Sequence, residues 1–525
     1  MSQPVLAFPA TIADGSVVEL QCGRVYQGTL NLHSKSNVSV KTSGTCGKAV
    51  IAPGQPIKGW TQYSGNIYSA PIPFDAAQVI VDGSPMPLAH WPSTSQTWAK
   101  ASATTSTTLT YTMPNADLVG ATLVFRPYDW SIEARKITAY SNSVMTVTST
   151  GKLSFDGYAL SGQPNFYVEG KLWMLDEPGE WAVSGGRLYV WAPDGRSPEG
   201  RVWAAPDKDA IDASNSKGVS INGVRIFAAA NGINGIGATG LSVSYTDIVN
   251  SSENAIYNSG GSGLKVDTIG VRNTRHDGIA IKWGGGGESI KNSTFDRSGS
   301  IGMPTSAHAA INLVPSTGPT VSGNTVTNSG YIGIRVFRNA TVSNNTVDTA
   351  CIVLTDCGGI YLSAPDGLAL NTHIDSNTIR NVGKSQRLAW GIQMDNKANA
   401  VSVTGNTFSD NGNGMMLYNG FSNTITGNSF ATSTQAHIQM AEVGSTPIIR
   451  NNVITYNKYS ISGVQQMYRL SSDVGSTSVA QFGSYNHNAY TTSSSVFANF
   501  AGALFSYDQW KAKTGQDSAS TYTAQ

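Results

Sequence analysis

Nine short segments of the chain repeat one pattern: a small residue, an aliphatic, an outward-looking residue and then, in most, another apolar one. They are Gly232-Ile233-Asn234-Gly235, Ala255-Ile256-Tyr257-Asn258, Gly278-Ile279-Ala280-Ile281, Ala310-Ile311-Asn312-Leu313 and Gly333-Ile334-Arg335-Val336, followed by Gly359-Ile360-Tyr361-Leu362, Gly391-Ile392-Gln393-Met394, Gly414-Met415-Met416-Leu417 and His437-Ile438-Gln439-Met440. With the first aliphatic as anchor, the steps are 23, 23, 32, 23, 26, 32, 23 and 23 residues. A period in the low twenties built on short β-type runs predicts a solenoid in which each turn buries its apolar face against its neighbours. In such a fold, register along the repeat maps what faces solvent.

The 525 residues exceed what one compact core holds, so a solenoid or additional domains are expected. A net charge of +1 argues against a nucleic-acid partner, and no apolar run approaches the roughly 20 residues that would span a bilayer. The 56 glycines suit short strands punctuated by turns. Cys22 and Cys46 flank one early segment, and Cys351 and Cys357 are six apart. Two local pairs suit disulfides better than a metal site, which predicts a secreted or periplasmic protein. Met1-Ser2-Gln3 starts no visible signal peptide, as expected of a mature form and equally of a cytosolic protein, and the cysteine pairs favour the first. One chain acting as a monomer is expected.

Four regions are predicted: an N-terminal cap with the first coils (1–59), an inserted antiparallel β domain (60–205), the parallel ladder (206–460) and a capping tail (461–525). The insertion is richer in Trp, Tyr and Pro and alternates apolar with polar residues, as in Ala121–Arg126 and Arg187–Trp191. A short helix is predicted near 507–513. Asn324, Asn345, Asn377, Asn406, Asn428 and Asn452 recur at one place relative to apolar neighbours, which predicts a stacked, structural amide ladder in a turn.

Alternation along a strand turns the anchor and the residue two on inward, and the residues one and three on outward. The outward strip then carries Lys282, Asn312, Arg335, Tyr361, Gln393, Asp395 and Tyr418. Aromatics, amides and charges on one face suit a sugar, since rings stack on pyranoses and polar groups read hydroxyls. Just before the strands, His276, His308 and Tyr331 share one position on successive coils, and Asp356 lies one residue earlier on the next. The two 32-residue steps place extra loops around 284–305 and 364–389, on the binding side. Trp283 leads into the first, and Arg387–Trp390 in the second could cover a sugar. Gly284–Gly287 is not a phosphate loop, because no Gly-Lys-Ser/Thr follows.

The chain resembles the right-handed parallel β-helix, pectate-lyase-like superfamily, and within it the secreted β-helix glycoside hydrolases of the xylosidase- and fucosidase-like group. The stretches that carry the resemblance are Gln78–Gly83 with Ala89-His90-Trp91-Pro92, Leu175–Trp181, Asp356-x-Gly-Gly-Ile-Tyr361, Gly391–Asp395, and Trp510 through Thr514-Gly515 to Asp517. It implies an all-β solenoid with an inserted antiparallel domain, and Asp356 and Asp395 as the catalytic carboxyl pair. Register sets these two apart by up to roughly 23 Å of extended chain, whereas glycoside cleavage needs carboxyls about 5–9.5 Å apart.

The leading expectation is hydrolysis of an extracellular poly- or oligosaccharide by Asp395 and Asp356. His276, His308, Lys282 and Arg335 would assist, and Asn312, Tyr331, Tyr361, Gln393, Trp390, Tyr418 and Trp283 would bind substrate. No cofactor is expected. The sequence has no obvious calcium loop, although it leaves a bound calcium open. The rival is a polysaccharide lyase, with Lys282 and Arg335, about 10 Å apart, neutralising a uronate and His276, His308 or Tyr331 assisting proton removal. A non-catalytic carbohydrate-binding solenoid is the third reading.

Overall fold

The computed structural model describes residues 5–93, 98–148, 165–299, 308–384, 386, 388–445, 448–461, 465–475 and 478–524. The repeat winds into a parallel β-helix with three long sheets of 15, 13 and 14 strands. The anchor strands form the 14-stranded sheet, where Ile211, Ile233, Ile256, Ile279, Ile311, Ile334, Ile360, Ile392, Met415 and Ile438 stack in parallel register. All ten are fully buried. Each such side chain contributes about 1.5–3 kcal/mol of burial, and the column continues the same gain from coil to coil.

The small residue before each anchor has a steric cause. A Cβ on Gly232, Gly278, Gly333, Gly359, Gly391 or Gly414 would come within 2.8 Å of a carbonyl oxygen on the next coil. At Gly391 that Cβ would also meet the core ring of Phe408, so this glycine and Ile392 both face inward. Strict alternation is broken there, and Trp390 is turned outward.

The first coils join the later ones directly. Ala49–Ala52 pairs in parallel with Val224–Ala229, and Ser39–Ser43 with Ser220–Asn222, so the chain between leaves the solenoid and returns to it. That excursion folds into antiparallel sheets, including Thr122–Tyr128 against Ser131–Ser141 and Asn165–Glu169. It lies along one edge of the anchor sheet. Gln78 donates to the carbonyls of Ala229 and Asn250, Glu169 approaches Arg275 at 3.7 Å, and the Thr355 N–H donates to the Asp129 carbonyl at 3.1 Å. The excursion thus touches the coils in the stretch just before their anchors.

The ladder does not stop at residue 460. Gln466–Ser472, Gly483–Asn486, Ala489–Thr492 and Thr521–Ala524 continue the three sheets in parallel. The helix expected near 507–513 spans Tyr507–Thr514, capped by Ser506, and its Trp510 donates to buried Asp517 at 2.9 Å. The amide ladder runs Asn324, Asn345, Asn377, Asn406 and Asn428, each donating to the next at 2.9–3.0 Å. Its next member is Asn457, followed by Asn488. Asn452 belongs to a separate turn, where it accepts from Asn423. Both turns present an amide before a short strand, so the local spacing did not separate them.

Both cysteine pairs are disulfides, Cys22–Cys46 and Cys351–Cys357. No helix among the described residues is long and apolar enough to cross a membrane.

Candidate carboxylate site on the anchor sheet

The outward row falls in register across the coils as Ala280, Asn312, Arg335, Tyr361, Gln393, Met416 and Gln439. The row is less open than alternation predicts: Ala280, Asn312, Gln393 and Met416 are buried. At the C-terminal end of the row, Trp390 packs with Met416 and Ala441, and its indole N–H donates to Gln439 at 3.1 Å. Trp390 is 1% exposed, so it supports the wall and does not cover a sugar. Arg387 lies outside the described residues. In the first long step, the strands Ser289–Lys291 and Thr294–Ser298 keep their places, and the additional residues fall after Gly299, where 300–307 lie outside the described residues.

Asp356 and Asp395 are brought together at the centre of the row. The chain turns at Asp356, which holds a left-handed φ of 55° inside the Cys351–Cys357 loop. It then bends at Gly358, where a Cβ would lie 2.6 Å from the Ile360 carbonyl and 3.0 Å from the Gln393 Cβ. Only a residue without a side chain fits that bend. The bend folds Asp356 back over the row, so its Oδ1 accepts from Gln393 Nε2 at 2.9 Å. Asp395 follows Gln393 by two residues on the same strand and accepts from the Tyr361 hydroxyl at 2.8 Å. The two carboxyls therefore flank the Tyr361–Gln393 pair, and the span allowed by extended chain is not the one adopted.

Their electrostatics differ. Burial, the Asp395 charge and the Asp129 charge push the Asp356 carboxyl up to about 6, against the opposing Gln393 hydrogen bond. Burial also raises Asp395, but the Tyr361 hydroxyl, the backbone and side-chain N–H groups of Asn396, and Arg335 all favour its charged form. The Arg335 guanidinium lies 5.5 Å over the Tyr361 ring. Tyr331 donates to the Asp356 backbone carbonyl at 2.8 Å and so braces the turn from below. Tyr418 is half-buried on the far side, where burial and the Asp395 charge push its hydroxyl up. Among the described residues, Gln393 Oε1 and Arg335 Nε are buried without a protein hydrogen-bond partner.

The imidazoles form a second cluster. His276 and His308 stack at 4.6 Å with an interplanar angle of 8°. Each ring has its own carboxylate, Glu253 at 3.4 Å and Asp277 at 3.2 Å. Asp277 is fully buried and accepts from the Ala309 N–H at 2.7 Å and from Asn312 Nδ2 at 3.2 Å. Burial pushes His308 down and holds it neutral at neutral pH, so these hydrogen bonds, with the nearby Lys282, keep Asp277 ionised against its own burial. Lys282 also sits 5.9 Å over the Tyr257 ring. Among the described residues no three metal-ligating side chains converge.

The inserted strands supply groups that sequence reasoning missed. Tyr128, Asp129 and Trp130 form the tip between Thr122–Tyr128 and Ser131–Ser141, with Tyr128 and Trp130 stacked at 4.8 Å. Arg126 ties this tip down, donating to the Asp129 carbonyl at 2.8 Å and to Thr355 at 3.4 Å. A third carboxylate thus stands beside Asp356. The available signal was an aromatic–acid–aromatic turn between two alternating strands.

The family described as "right handed beta helix region" matches residues 209–379 and 358–509, together more than half of the chain. No curated protein matches. A solved structure titled "Glycoside hydrolase" is 12% identical, with a TM-score of 0.63 over 85% of this chain and 90% of its own. The A-module of a mannuronan C-5 epimerase from Azotobacter vinelandii is 12% identical with a TM-score of 0.38, covering 60% of this chain and 83% of its own. The tailspike protein of Pseudomonas phage LKA1 is 12% identical with a TM-score of 0.37, covering 93% and 72%.

Proposed function

The chain belongs to the right-handed β-helix family, and from that premise we propose that it is a secreted or periplasmic enzyme that hydrolyses glycosidic bonds of a poly- or oligosaccharide. Asp356 is the general acid and Asp395 the carboxylate that acts as nucleophile or as base toward water. One observation carries the reading: two carboxyls from adjacent coils flank one pair of side chains, both raised by burial, with Asp356 pushed further by its acidic neighbours and Asp395 partly offset by Tyr361, Asn396 and Arg335. With a pKa of about 6, Asp356 holds a proton in mildly acidic solution and can pass it to the departing glycosidic oxygen. Asp395, held by Tyr361 and Asn396, faces the positive charge that develops at the anomeric carbon.

Gln393 and Tyr361 are positioning residues for the two carboxyls, donating to Asp356 and Asp395 respectively. His276 and His308, stacked and tied to their own carboxylates, act as part of the groove wall. The lyase alternative draws on Lys282 and Arg335 as free cations, and each already faces a carboxylate, Asp277 and Asp395. The solved structure titled a glycoside hydrolase agrees with the hydrolytic reading but, at 12% identity, speaks for the fold alone. The two disulfides support an oxidising compartment.

The test is incubation with panels of neutral and uronic-acid polysaccharides, following new reducing ends and the ultraviolet absorbance of an unsaturated uronate. Hydrolysis predicts reducing ends without absorbance. Absorbance would establish the lyase instead, and neither signal across the panel would leave a binding solenoid.

A further inference from the structure

Trp283 is 82% exposed, more than any other large hydrophobic side chain among the described residues. Its backbone is left-handed, with φ of 55°, a conformation that costs a bulky L-residue roughly 1–2 kcal/mol. Leaving the indole in water forgoes a burial gain of about 2–3 kcal/mol. Folding thus gains nothing from this residue in this place.

The loop that carries it is nonetheless held firmly. The Lys282 carbonyl accepts from Ser259 Oγ and from the Gly260 N–H on the coil below. Gly284 lies so close to Gly260 that a Cβ would sit 3.3 Å from its Cα, and a Cβ on Gly285 would come within 3.0 Å of Ser316 on the coil above. A strained and pinned backbone presents a whole aromatic ring to solvent, as a preformed platform requires.

Register says what the platform adjoins. Trp283 is four residues past its anchor, the position that Asn396 holds beside Asp395. Lys282, Phe337, Asp395 and Tyr418 are each three past theirs, with the Arg338 guanidinium 4.3 Å over the Phe337 ring. One rim of the groove therefore reads Lys282, Phe337, Asp395, Tyr418, and Trp283 directly follows its first member. From the coil of Ile279 to that of Ile392 there are four steps. At about 4.8 Å each they span about 19 Å, the length of roughly four pyranose rings.

We propose that Trp283 is a distal stacking subsite, so that the protein recognises a chain of at least about five sugar units lying along the solenoid axis. This rests on the carbohydrate reading of the Asp356–Asp395 site.

The experiment uses xylo-, manno- and galacturono-oligosaccharides of two to eight units. Binding to the Asp395→Asn protein is measured by calorimetry, and kcat/KM is measured on the native chain. Affinity is expected to climb with length up to about five or six units. Trp283→Ala should remove the increment gained by the longer members, roughly tenfold for one stacked ring, while Trp283→Phe keeps most of it. A climb that survives in Trp283→Ala overturns the proposal, as does affinity that is flat with length or absent throughout. Length-dependent binding without any bond cleavage would instead retain the subsite and reject the hydrolase.

Discussion

Two clusters of titratable groups sit on the same sheet, within a few coils of each other, and they are built in opposite ways. Around His276 and His308, each imidazole meets a carboxylate, and Asp277 collects hydrogen bonds from His308, Ala309 and Asn312. Around Asp356 and Asp395, the carboxyls share one neighbourhood with each other and with Asp129, and burial raises both. The first arrangement surrounds its buried carboxylate with hydrogen-bond donors, which hold Asp277 ionised beside a neutral His308. The second keeps a proton in competition among acids, which is the condition that separates an acid from a base at one site. Both clusters look alike in sequence, as titratable residues at one edge of a repeat, and only their partners tell them apart.

The strongest way to break this comparison is to neutralise each cluster in turn. Asp395→Asn and Asp356→Asn are expected to lower kcat by about a thousandfold or more, with the fold intact by circular dichroism. His276→Gln is expected to cost less than about tenfold. Asp277→Asn should act on folding, lowering unfolding free energy by about 2–4 kcal/mol, because it leaves several buried donors without their charged acceptor. If His276→Gln silences turnover while Asp395→Asn does not, the roles of the two clusters are reversed.

A backbone change sharpens the same contrast without touching a charge. Gly358→Ala places a Cβ against the Ile360 carbonyl and Gln393, and Gln393 donates to Asp356, so the displacement reaches the Asp356–Gln393 contact. Turnover is expected to fall about a hundredfold, since small displacements of a catalytic group are costly, while the His cluster, on other coils, keeps its geometry. Activity within about twofold of native would mean that the bend does not position Asp356.

The proton on Asp356 gives a pH signature. Its carboxyl is raised from 3.8 to about 6 in the folded chain, so the native state binds this proton more tightly than the unfolded one. That contribution to stability is complete below about 4 and is lost as pH rises through about 6. Asp356→Asn should therefore unfold at higher denaturant than native above pH 6, by about 1–2 kcal/mol after allowing for partial exposure. The gap should close at about pH 4. In the native protein, kcat/KM should fall with rising pH through about 6 as the acid is lost.

The period, the buried anchor column, the disulfide pairs and the amide ladder were legible in the sequence because each is fixed by coil geometry. The anchors need apolar side chains every turn, and the preceding position tolerates only small residues where a carbonyl of the next coil intrudes. What escaped the sequence were departures from that regularity. The bend at Gly358 brings Asp356 back over the row, and alternation cannot foresee it. The inward pair Gly391–Ile392 flips Trp390 out, against a neighbouring cluster and away from any sugar. Asn452 and Asn457 obey nearly the same local pattern, and only their stacking partners separate them. Asp129 lies more than two hundred residues from Asp356 in the chain, on strands whose docking no local spacing encodes.

That distant residue permits the smallest and most specific test. Asp129 touches the site in two separable ways: its backbone carbonyl accepts from Thr355, and its side-chain charge raises Asp356. Asp129→Asn keeps the first and removes the second. With one negative neighbour gone, ionised Asp356 becomes less costly, so the alkaline fall in kcat/KM should move to lower pH. The move should be smaller than any produced by altering Asp395, whose charge weighs more heavily on Asp356. The maximal rate should change little, because Asp129 need not touch the breaking bond for its field to act across the gap. A pH profile unchanged in Asp129→Asn would reduce the inserted strands to a wall, whereas a shift to lower pH makes them part of how the β-helix holds its proton.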